Sequence, residues 1–150
     1  MNLQVIPGEL PIAVRPFNEI ADYGYILATW SRGYHKVHPF NFIPNQIYVP
    51  QQTKVINNVL ERCNTLVACI DDSPDDIVGY LITQPFGEDL IVHWSNVKSN
   101  YRRFGVMKTL LNKSNADNKT LLCSHYFDLF KQLKDRYHLV YDPSSLKEYI

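Results

Sequence analysis

The chain has 150 residues, 45% of them apolar, and carries 15 basic and 15 acidic residues for a net charge of +0. This predicts one soluble globular domain over residues 1–150, and the balanced charge argues against bulk binding of nucleic acid. The cysteines Cys63, Cys69 and Cys123 are odd in number, and no apolar run reaches the roughly 18 residues of a membrane span. With no signal-peptide layout either, we expect a cytoplasmic protein with free thiols and no membrane partner.

The first part of the chain predicts a strand followed by a helix. Residues 11–16 (PIAVRP) suit a short strand, and Asn18 is a good cap for the helix that follows. The apolar residues of this helix recur at helical spacing, and we expect them to face the core: Ile20, Tyr23, Leu27 and Trp30.

Residues 31–52 are rich in proline, aromatic residues and amides, which predicts a long ordered loop with at most one turn of helix. Loops of this length in a compact domain are typical of functional sites, so we expect substrate to enter here. His35 and His38 lie in this loop, but two histidines without a third convergent ligand do not predict a metal site.

The middle of the chain predicts a helix and three strands. From Thr53 onward one helical face is apolar, and it ends near Cys63. The acidic run DDSPDD between the first two strands is expected to be a solvated turn, because its spacing does not match a calcium loop. The segments are a strand at 65–70, a turn at 71–76, a strand at 77–83 that pairs antiparallel with it, a turn at 84–89 and a strand at 90–97.

Residues 97–111 (VKSNYRRFGVMKTLL) join the last of these strands to a helix whose apolar face holds Val106, Leu110 and Leu111. Arg102, Arg103 and a glycine therefore lie where the helix begins. The first N–H groups of a helix have no partner within the helix and carry partial positive charge. The segment predicts a phosphate or pyrophosphate site, and a solvated basic turn is the alternative.

The last third predicts a loop, a strand, a helix and a final strand. Residues 112–119 are polar, 120–124 suit a short strand and 139–141 a last one. Between these strands, helical spacing joins Tyr126, Leu129, Phe130, Leu133 and Tyr137.

This element order, together with YRRFGVMKTLL after the central strand, resembles the GNAT acyltransferase superfamily. Its signature is Gln or Arg, two residues, Gly, one residue, then Gly or Ala, and Arg102, Gly105 and Met107 occupy these positions. The resemblance implies an α/β (α+β) fold with a central, mostly antiparallel mixed sheet flanked by helices. It also extends to small GNAT-like proteins of bacteriophages.

The resemblance implies that backbone N–H groups of the turn bind the pyrophosphate of acyl-CoA, while a splay between two strands admits the pantetheine arm. Met107 stands where the family usually has a small residue, and its flexible side chain can turn into the core. By position the cofactor-binding residues are Val97, Arg102, Arg103, Phe104, Gly105, Val106, Met107 and Lys108.

For the base, members with a carboxylate on this strand carry it about where Ile91 stands, and isoleucine cannot accept a proton. By alternation Ile91, His93, Ser95 and Val97 share one face, so His93 is the candidate base. A surface or hydrogen-bonded core histidine is the alternative. The backups, acting through water, are Glu88 and Asp89.

For the acid, the family often uses a tyrosine of the last helix, and the nearest matching position is Phe130. Tyr126 lies one helical turn earlier and is the candidate acid, with a core tyrosine as the alternative. Ser124 and His125 precede it at the end of the strand.

The resemblance predicts transfer of an acetyl group from acetyl-CoA, as co-substrate, to an amine acceptor by direct attack. The acceptor is a small molecule or a protein, and neither its identity nor the oligomeric state follows from the sequence. Because Ile91, Met107 and Phe130 depart from the family pattern, the alternative is a catalytically inactive binding or structural module of the same fold.

Overall fold

The computed structural model describes residues 2–6, 10–126, 131 and 133–150. Its strands form one seven-stranded sheet in chain order, antiparallel from β1 to β5 and parallel from β5 to β7. This confirms the predicted central, mostly antiparallel mixed sheet flanked by helices. The strands are β1 (Asn2–Ile6), β2 (Leu10–Pro16), β3 (Asn64–Ile70), β4 (Ser73–Phe86), β5 (Asp89–Val97), β6 (Thr120–Cys123) and β7 (His138–Tyr141).

Helix α1 (Glu19–His35) begins as predicted, because the Asn18 side chain accepts hydrogen bonds from two backbone N–H groups of its first turn. Trp30 is buried as predicted, and Tyr23 and Leu27 pack partly buried against the core, so only Ile20 departs from the predicted face. Ile20 is 98% exposed, whereas the fully buried positions of α1 follow a four-residue step. That step includes Asp22, whose carboxylate pairs with Arg15 of β2 through two hydrogen bonds of 2.7 Å. The ion pair thus draws the buried face away from Ile20.

The loop predicted at residues 31–52 is confined to residues 36–44, where one short 3-10 turn (Phe40–Phe42) forms, so both predicted ends are wrong. Helix α1 continues to His35, and α2 (Asn45–Arg62) begins eight residues before Thr53. Pro44 stands at the N-cap of α2, where a missing N–H costs nothing, and Pro50 is tolerated inside the helix. Burial of one α2 face against the rest of the fold stabilises the helix more than its internal proline destabilises it. That face holds Tyr48, Gln52, Ile56, Val59 and Leu60.

The β3–β4 hairpin forms with the predicted antiparallel pairing but with longer strands. β4 begins at Ser73, so the turn predicted at 71–76 is reduced to its first two residues. β4 also runs to Phe86 and β5 starts at Asp89, so the turn predicted at 84–89 spans only two residues. One of them, Gly87, has φ +60°, a conformation that favours glycine.

Strand β5 contains a bulge at His93, which corrects the predicted face. Val92 pairs with Thr83 and Trp94 with Ile82, so His93 has no partner on β4. Because paired residues point to the same face, the bulge reverses the alternation beyond it. Ile91 and Trp94 therefore face α1, whereas Ser95 and Val97 face α3 (Val106–Lys113) on the other side.

Strands β5 and β6 separate after a short parallel ladder. Their register runs from Leu90 with Leu121 to Val92 with Cys123, and the last backbone bond joins Ser124 N to Val92 O. Beyond it β5 continues to Val97 without β6 beside it. The sheet thus opens into a V whose vertex lies at His93 and Ser124.

In the last third, β6 and β7 lie close to the predicted positions. Leu129 and Phe130, part of the helix predicted there, lie outside the described residues. Of the three cysteines, Cys69 and Cys123 are buried and Cys63 is half-buried, and all are free thiols. No helix in the described ranges combines the length and apolarity needed to cross a bilayer.

Candidate functional site

A cleft of about 900 Å³ lies where β6 leaves β5. Its floor is the end of β5 from Trp94 to Val97, and one wall is the C-terminal half of α1, including Gly33. The other wall is the turn before α3, which the sequence predicts as the anion site. The floor approaches α1 closely, because a Cβ at Gly33 would lie 3.0 Å from the Trp94 ring.

The turn before α3 (residues 102–105) presents backbone donors to this cleft. Arg103 and Gly105 both have φ +77°, and Gly105 is the N-cap of α3 without a side chain to cap the helix. The first N–H groups of a helix carry partial positive charge and attract anions. Within the described part of the chain, no backbone N–H from residue 103 to 108 donates a hydrogen bond. The turn therefore offers unused donors at the positive end of a helix.

Most of the predicted cofactor-binding residues line the cleft, and one does not. Phe104 packs against the hydrophobic core, which anchors the turn from below. Met107 is half-buried against the same core while its edge lines the cleft, so it does not fill the space before the helix. The residues that line the cleft are Val97, Arg102, Arg103, Gly105, Val106, Met107 and Lys108.

The cleft is strongly basic although the chain is neutral. No acidic residue lines it within the described part of the chain. Arg102 donates from Nε to the carbonyl of Val97 at 3.1 Å, which ties the turn to the end of β5. Among the residues that the structure describes, none of the other cations forms an ion pair, and the full set is Arg32, Lys36, Arg102, Arg103, Lys108, Lys131 and Arg136. Such a surface attracts a ligand with several negative charges.

Arg32 and Lys36 are cleft residues that sequence reasoning missed. Arg32 lies in the last turn of α1 and Lys36 is its C-cap, beyond Trp30, where the sequence predicts a loop to begin. Their i, i+4 spacing was the available signal, since it places two charges on one helical face.

The candidate base His93 is buried behind the cleft. It is 0% exposed, and neither ring nitrogen is open to a ligand. Nδ1 lies 2.8 Å from Ser124 Oγ, and Nε2 lies 3.0 Å from Gln84 Oε1. Burial lowers the His93 pKa from 6.5 to about 4, so the ring is neutral at pH 7.

Ser124 joins His93 to a second buried imidazole, that of His125. Ser124 Oγ lies 2.9 Å from His125 Nδ1, and His125 is also 0% exposed. Burial, together with the neighbouring His93, lowers the His125 pKa from 6.5 to about 3. These three residues are called the imidazole chain below. The sequence identifies His93 as the candidate base and Ser124 and His125 as neighbours of the candidate acid. The contact between the three depends on the register of β5 and β6.

The candidate acid Tyr126 lines the cleft and is 41% exposed, with its ring against Tyr141 at 5.8 Å between centroids. His93 and Tyr126 therefore belong to different environments, one inside the core and one on the cleft. Phe130, the position that the family pattern points to, lies outside the described residues. Asp89 begins β5 about 17 Å along the strand from the cleft floor at Trp94, and Glu88 precedes it, so neither lies at the cleft.

No group of three or more potential metal-ligating side chains converges in the part of the chain that the structure describes. His35 stacks on Tyr48 and its Nε2 contacts the carbonyl of Ile43 at 2.7 Å, so it supports the packing of α1 on α2.

Comparison with known proteins gives a fold and no close relative. No family model matches the chain, and no curated protein matches it in sequence. Many solved structures match in three dimensions. One is a protein of Pyrococcus furiosus described as an acetyl transferase, 15% identical, with a TM-score of 0.62 over 87% of this chain and 95% of that one.

Two further neighbours are weaker matches. A protein of Corynebacterium glutamicum described as histone acetyltransferase HPA2 and related acetyltransferase is 17% identical, with a TM-score of 0.51 and 69% of each chain covered. The paia N-acetyltransferase of Thermoplasma acidophilum, solved in complex with coenzyme A, is 17% identical over 69% of each chain, with a TM-score of 0.47. None of these neighbours supports the likeness to bacteriophage proteins. The chain has the GNAT-like α/β fold of these acetyltransferases, and identities this low show the fold alone.

Proposed function

We propose that residues 1–150 form one acyl-CoA-dependent N-acyltransferase domain that moves an acetyl group from acetyl-CoA to an amine. One observation carries the proposal: unused backbone donors and an unpaired strand edge line the same basic cleft. Acyl-CoA matches both, because it has a diphosphate at one end and an amide-containing arm at the other.

The diphosphate is assigned to the turn before α3. Free N–H groups from residue 103 to 108 converge there, and Arg103 and Lys108 add full charges. Gly105 leaves room for the phosphate, since nothing lies within 4 Å of the position its Cβ would take. A diphosphate in this position neutralises cations that have no acidic partner in the described ranges.

The pantetheine arm is assigned to the end of β5. From Trp94 to Val97 the strand pairs with β4 on one side and lacks β6 on the other. Such an edge offers backbone N–H and C=O groups to an extended ligand, as it would to another strand. The arm's two amides suit this edge, and its thioester end then points toward the vertex of the V.

Tyr126 is proposed as the acid that protonates the leaving thiolate, because its ring lines the cleft on the side where β6 ends. His93 is proposed to take part only through Ser124, since it does not reach the cleft. The acceptor amine attacks the thioester carbon directly within a ternary complex.

Isothermal titration of the purified protein with acetyl-CoA tests the proposal. We expect saturable binding that an Arg102→Ala, Gly105→Glu double variant loses. Titration with inorganic diphosphate is the control, because the turn alone should hold it more weakly than the whole cofactor. Absence of detectable heat at millimolar acetyl-CoA would refute the proposal.

A second candidate is a cofactor-binding module without transferase activity. The observation that favours it is the burial of His93, with both ring nitrogens already in contact with protein groups. The two candidates predict the same binding and differ in turnover. Release of free CoA thiol from acetyl-CoA in the presence of amines separates them, because the binding module releases none.

A further inference from the structure

One face of α1 carries two cations into the cleft. Thr29, Arg32 and Lys36 recur at three- and four-residue steps, and all three line the cleft. Arg32 lies in the last turn of α1, and Lys36 is its C-cap with helical backbone angles. These two residues, called the α1 cations below, are both exposed. A ligand in the cleft therefore meets them without any opening of the core.

The α1 cations lie beside the point where the helix contacts the cleft floor. Gly33 follows Arg32 in the chain and precedes Lys36 by about one helical turn. Because a Cβ at Gly33 would lie 3.0 Å from the Trp94 ring, the helix is close to the floor at this position. Trp94 begins the part of β5 that has no strand beside it on the β6 side. The two charges thus flank the cleft near the vertex of the V.

The α1 cations have no anionic partner in the described ranges of the chain. Within those ranges no acidic side chain lines the cleft, and neither cation forms an ion pair. Two like charges four residues apart on a helix repel each other. The negative end of the helix dipole offsets part of this repulsion. An anion bound between the two side chains would replace the repulsion with two attractions.

The α1 cations and the turn before α3 lie on opposite faces of the sheet. On one face, the Trp94 ring stacks on Trp30 of α1 with 6.0 Å between ring centroids. On the other face, Val97 pairs with Gly79, and a Cβ at Gly79 would lie 3.3 Å from Val106 of α3. The cleft therefore reaches both faces through the V.

The cofactor finds cations for its own charges on the α3 face. In the proposed complex its diphosphate lies at the turn beside Arg103. A second cleft of about 870 Å³ adjoins this turn, and its cations Lys108, Lys119 and Arg136 outnumber one acidic residue, Asp117. The ribose 3′-phosphate of CoA is close to the diphosphate in the molecule, so this second cleft can take it. The cofactor does not require the α1 cations.

The acceptor has to approach from the α1 face. In the proposed complex the pantetheine arm comes from the turn and follows the edge of β5, so the cofactor itself occupies the α3 side of its thioester. Direct attack needs an open side of the thioester carbon. The remaining side of the cleft is the one that α1 lines. An acceptor there has its amine near the vertex and the rest of the molecule beside the α1 cations.

We propose that the acceptor is a small molecule that carries an anionic group, a phosphate or a carboxylate, in addition to its amine, and that Arg32 and Lys36 bind this group. The Arg32 guanidinium can donate parallel hydrogen bonds to either group, and Lys36 adds a point charge. A cleft of about 900 Å³ suits a small molecule beside the cofactor arm. The inference rests on the proposed acyltransferase function and deepens it by naming the class of acceptor.

Titration calorimetry on protein saturated with CoA tests the inference without turnover. Glucosamine 6-phosphate is compared with glucosamine, and free glutamate with free glutamine, because the members of each pair share the amine and differ in one anionic group. The anionic member of at least one pair should bind about tenfold more tightly or better, and added salt should reduce the difference. The two pairs distinguish a phosphate from a carboxylate. Equal or undetectable binding of all four compounds overturns the inference.

An Arg32→Gln, Lys36→Gln double variant removes both charges and keeps side chains that favour a helix. It should lose the preference for the anionic compound and keep its affinity for acetyl-CoA within about twofold. The control Lys54→Gln, Lys147→Gln removes two exposed cations that line neither cleft, and it should keep the preference. If both variants lose the preference equally, the overall charge of the protein causes it and the inference fails.

Acetyl-CoA without its 3′-phosphate tests whether the cofactor is the source of the anion. If the α1 cations bound the ribose phosphate, the Arg32→Gln, Lys36→Gln variant would bind acetyl-CoA about tenfold more weakly, and removal of the phosphate would cause no further loss. That result overturns the inference and leaves the proposed function standing. We expect instead that removal of the phosphate weakens binding equally in the variant and in wild-type protein.

Thiol release from acetyl-CoA extends the test to turnover. In the Arg32→Gln, Lys36→Gln variant, kcat/KM for the preferred anionic acceptor should fall about tenfold or more, whereas kcat/KM for its neutral counterpart should not change. If wild-type protein binds acetyl-CoA but treats the members of both pairs alike, the inference fails and the proposed function stands. If wild-type protein binds no acetyl-CoA, the proposed function fails and the acceptor assignment with it.

Discussion

The turn before α3 and the imidazole chain differ in whether their polar groups have hydrogen-bond partners. The turn leaves a row of backbone donors without partners and surrounds them with cations that face open space. In the imidazole chain, both ring nitrogens of His93 and the Ser124 hydroxyl have partners, in the most buried part of the sheet. Unsatisfied donors at a surface invite an anion from outside, whereas satisfied groups in a core hold neutral rings in fixed orientations. The contrast separates a surface open to an anion from a core that holds neutral imidazoles, and each can be broken independently.

Acidification should cause the largest loss of free energy of unfolding, and it acts by protonating the two rings of the imidazole chain. The pKa of His93 is 6.5 when unfolded and about 4 when folded, so the unfolded state binds more protons between these values. Stability from this group is fully present above pH 6.5 and is lost as pH falls toward 4. The loss from His93 alone is about 3 kcal/mol, at 1.36 kcal/mol per pKa unit, and His125 adds to it. Urea unfolding at a series of pH values measures it.

The control for this prediction replaces an exposed histidine with a side chain that does not titrate. His138→Gln should keep the steep pH dependence, because His138 is exposed on β7. His93→Gln should flatten it, although its stability at pH 7 is lower. A wild-type protein whose stability is constant from pH 7 to 4.5 would contradict the assignment of two neutral buried imidazoles.

A carboxylate at the turn should have the next largest effect. Gly105→Glu puts negative charge among the donors and should weaken acetyl-CoA binding about 100-fold, or about 2.7 kcal/mol, in a titration. Gly87→Glu is a matched control, since Gly87 also has positive φ, +60° against +77°, and open space around its Cβ position. Both variants carry similar backbone strain and the same charge. Equal loss of binding in both would show that the turn is not the anion site.

The turn before α3 was predictable because its signals are local. A glycine between a basic pair and an apolar helical stripe favours a left-handed residue and a helix start within ten residues, and the anion site there stays a prediction. Gly105 has that conformation, and Val106, Leu110 and Leu111 are buried as the spacing predicts. The order of strands from β2 to β5 also follows from local apolar runs and turns, although the strand ends do not.

The imidazole chain was not predictable, because it depends on contacts between distant residues. The bulge that removes His93 from the ladder is a register shift between β4 and β5, and strict alternation gives the wrong face without it. The meeting of His93 with Ser124 joins residues 31 apart through the parallel β5–β6 pairing. The missed start of α2 has a similar cause, since burial of Tyr48 and Gln52 against the rest of the fold outweighs the prolines near them.

Removing the central hydroxyl should have an intermediate effect on stability. Ser124→Ala deprives two buried ring nitrogens of their shared partner, which should cost about 1–3 kcal/mol in the free energy of unfolding. Ser99→Ala removes an exposed hydroxyl and should cost less than about 0.5 kcal/mol. Urea unfolding at pH 7 measures both. Equal stability of the two variants would mean that the Ser124 hydroxyl does not bridge the rings. Acetyl-CoA binding should be kept in both, because neither residue lines the cleft.

The smallest expected effect comes from a single exposed cation of the turn. Arg103→Ala keeps a Cβ at the same positive φ, so the backbone is no more strained than in the native protein. It removes one charge from a basic surface, and acetyl-CoA binding should weaken about 3- to 10-fold, or about 1 kcal/mol, at low salt. The difference should shrink as salt is added, because an exposed charge is screened. Lys54→Ala removes an exposed cation from α2 and should leave the affinity unchanged at every salt concentration, because Lys54 does not line the cleft. If the two variants lose affinity equally, the cations act through the overall charge of the protein, and only the backbone donors distinguish the turn from the rest of the surface.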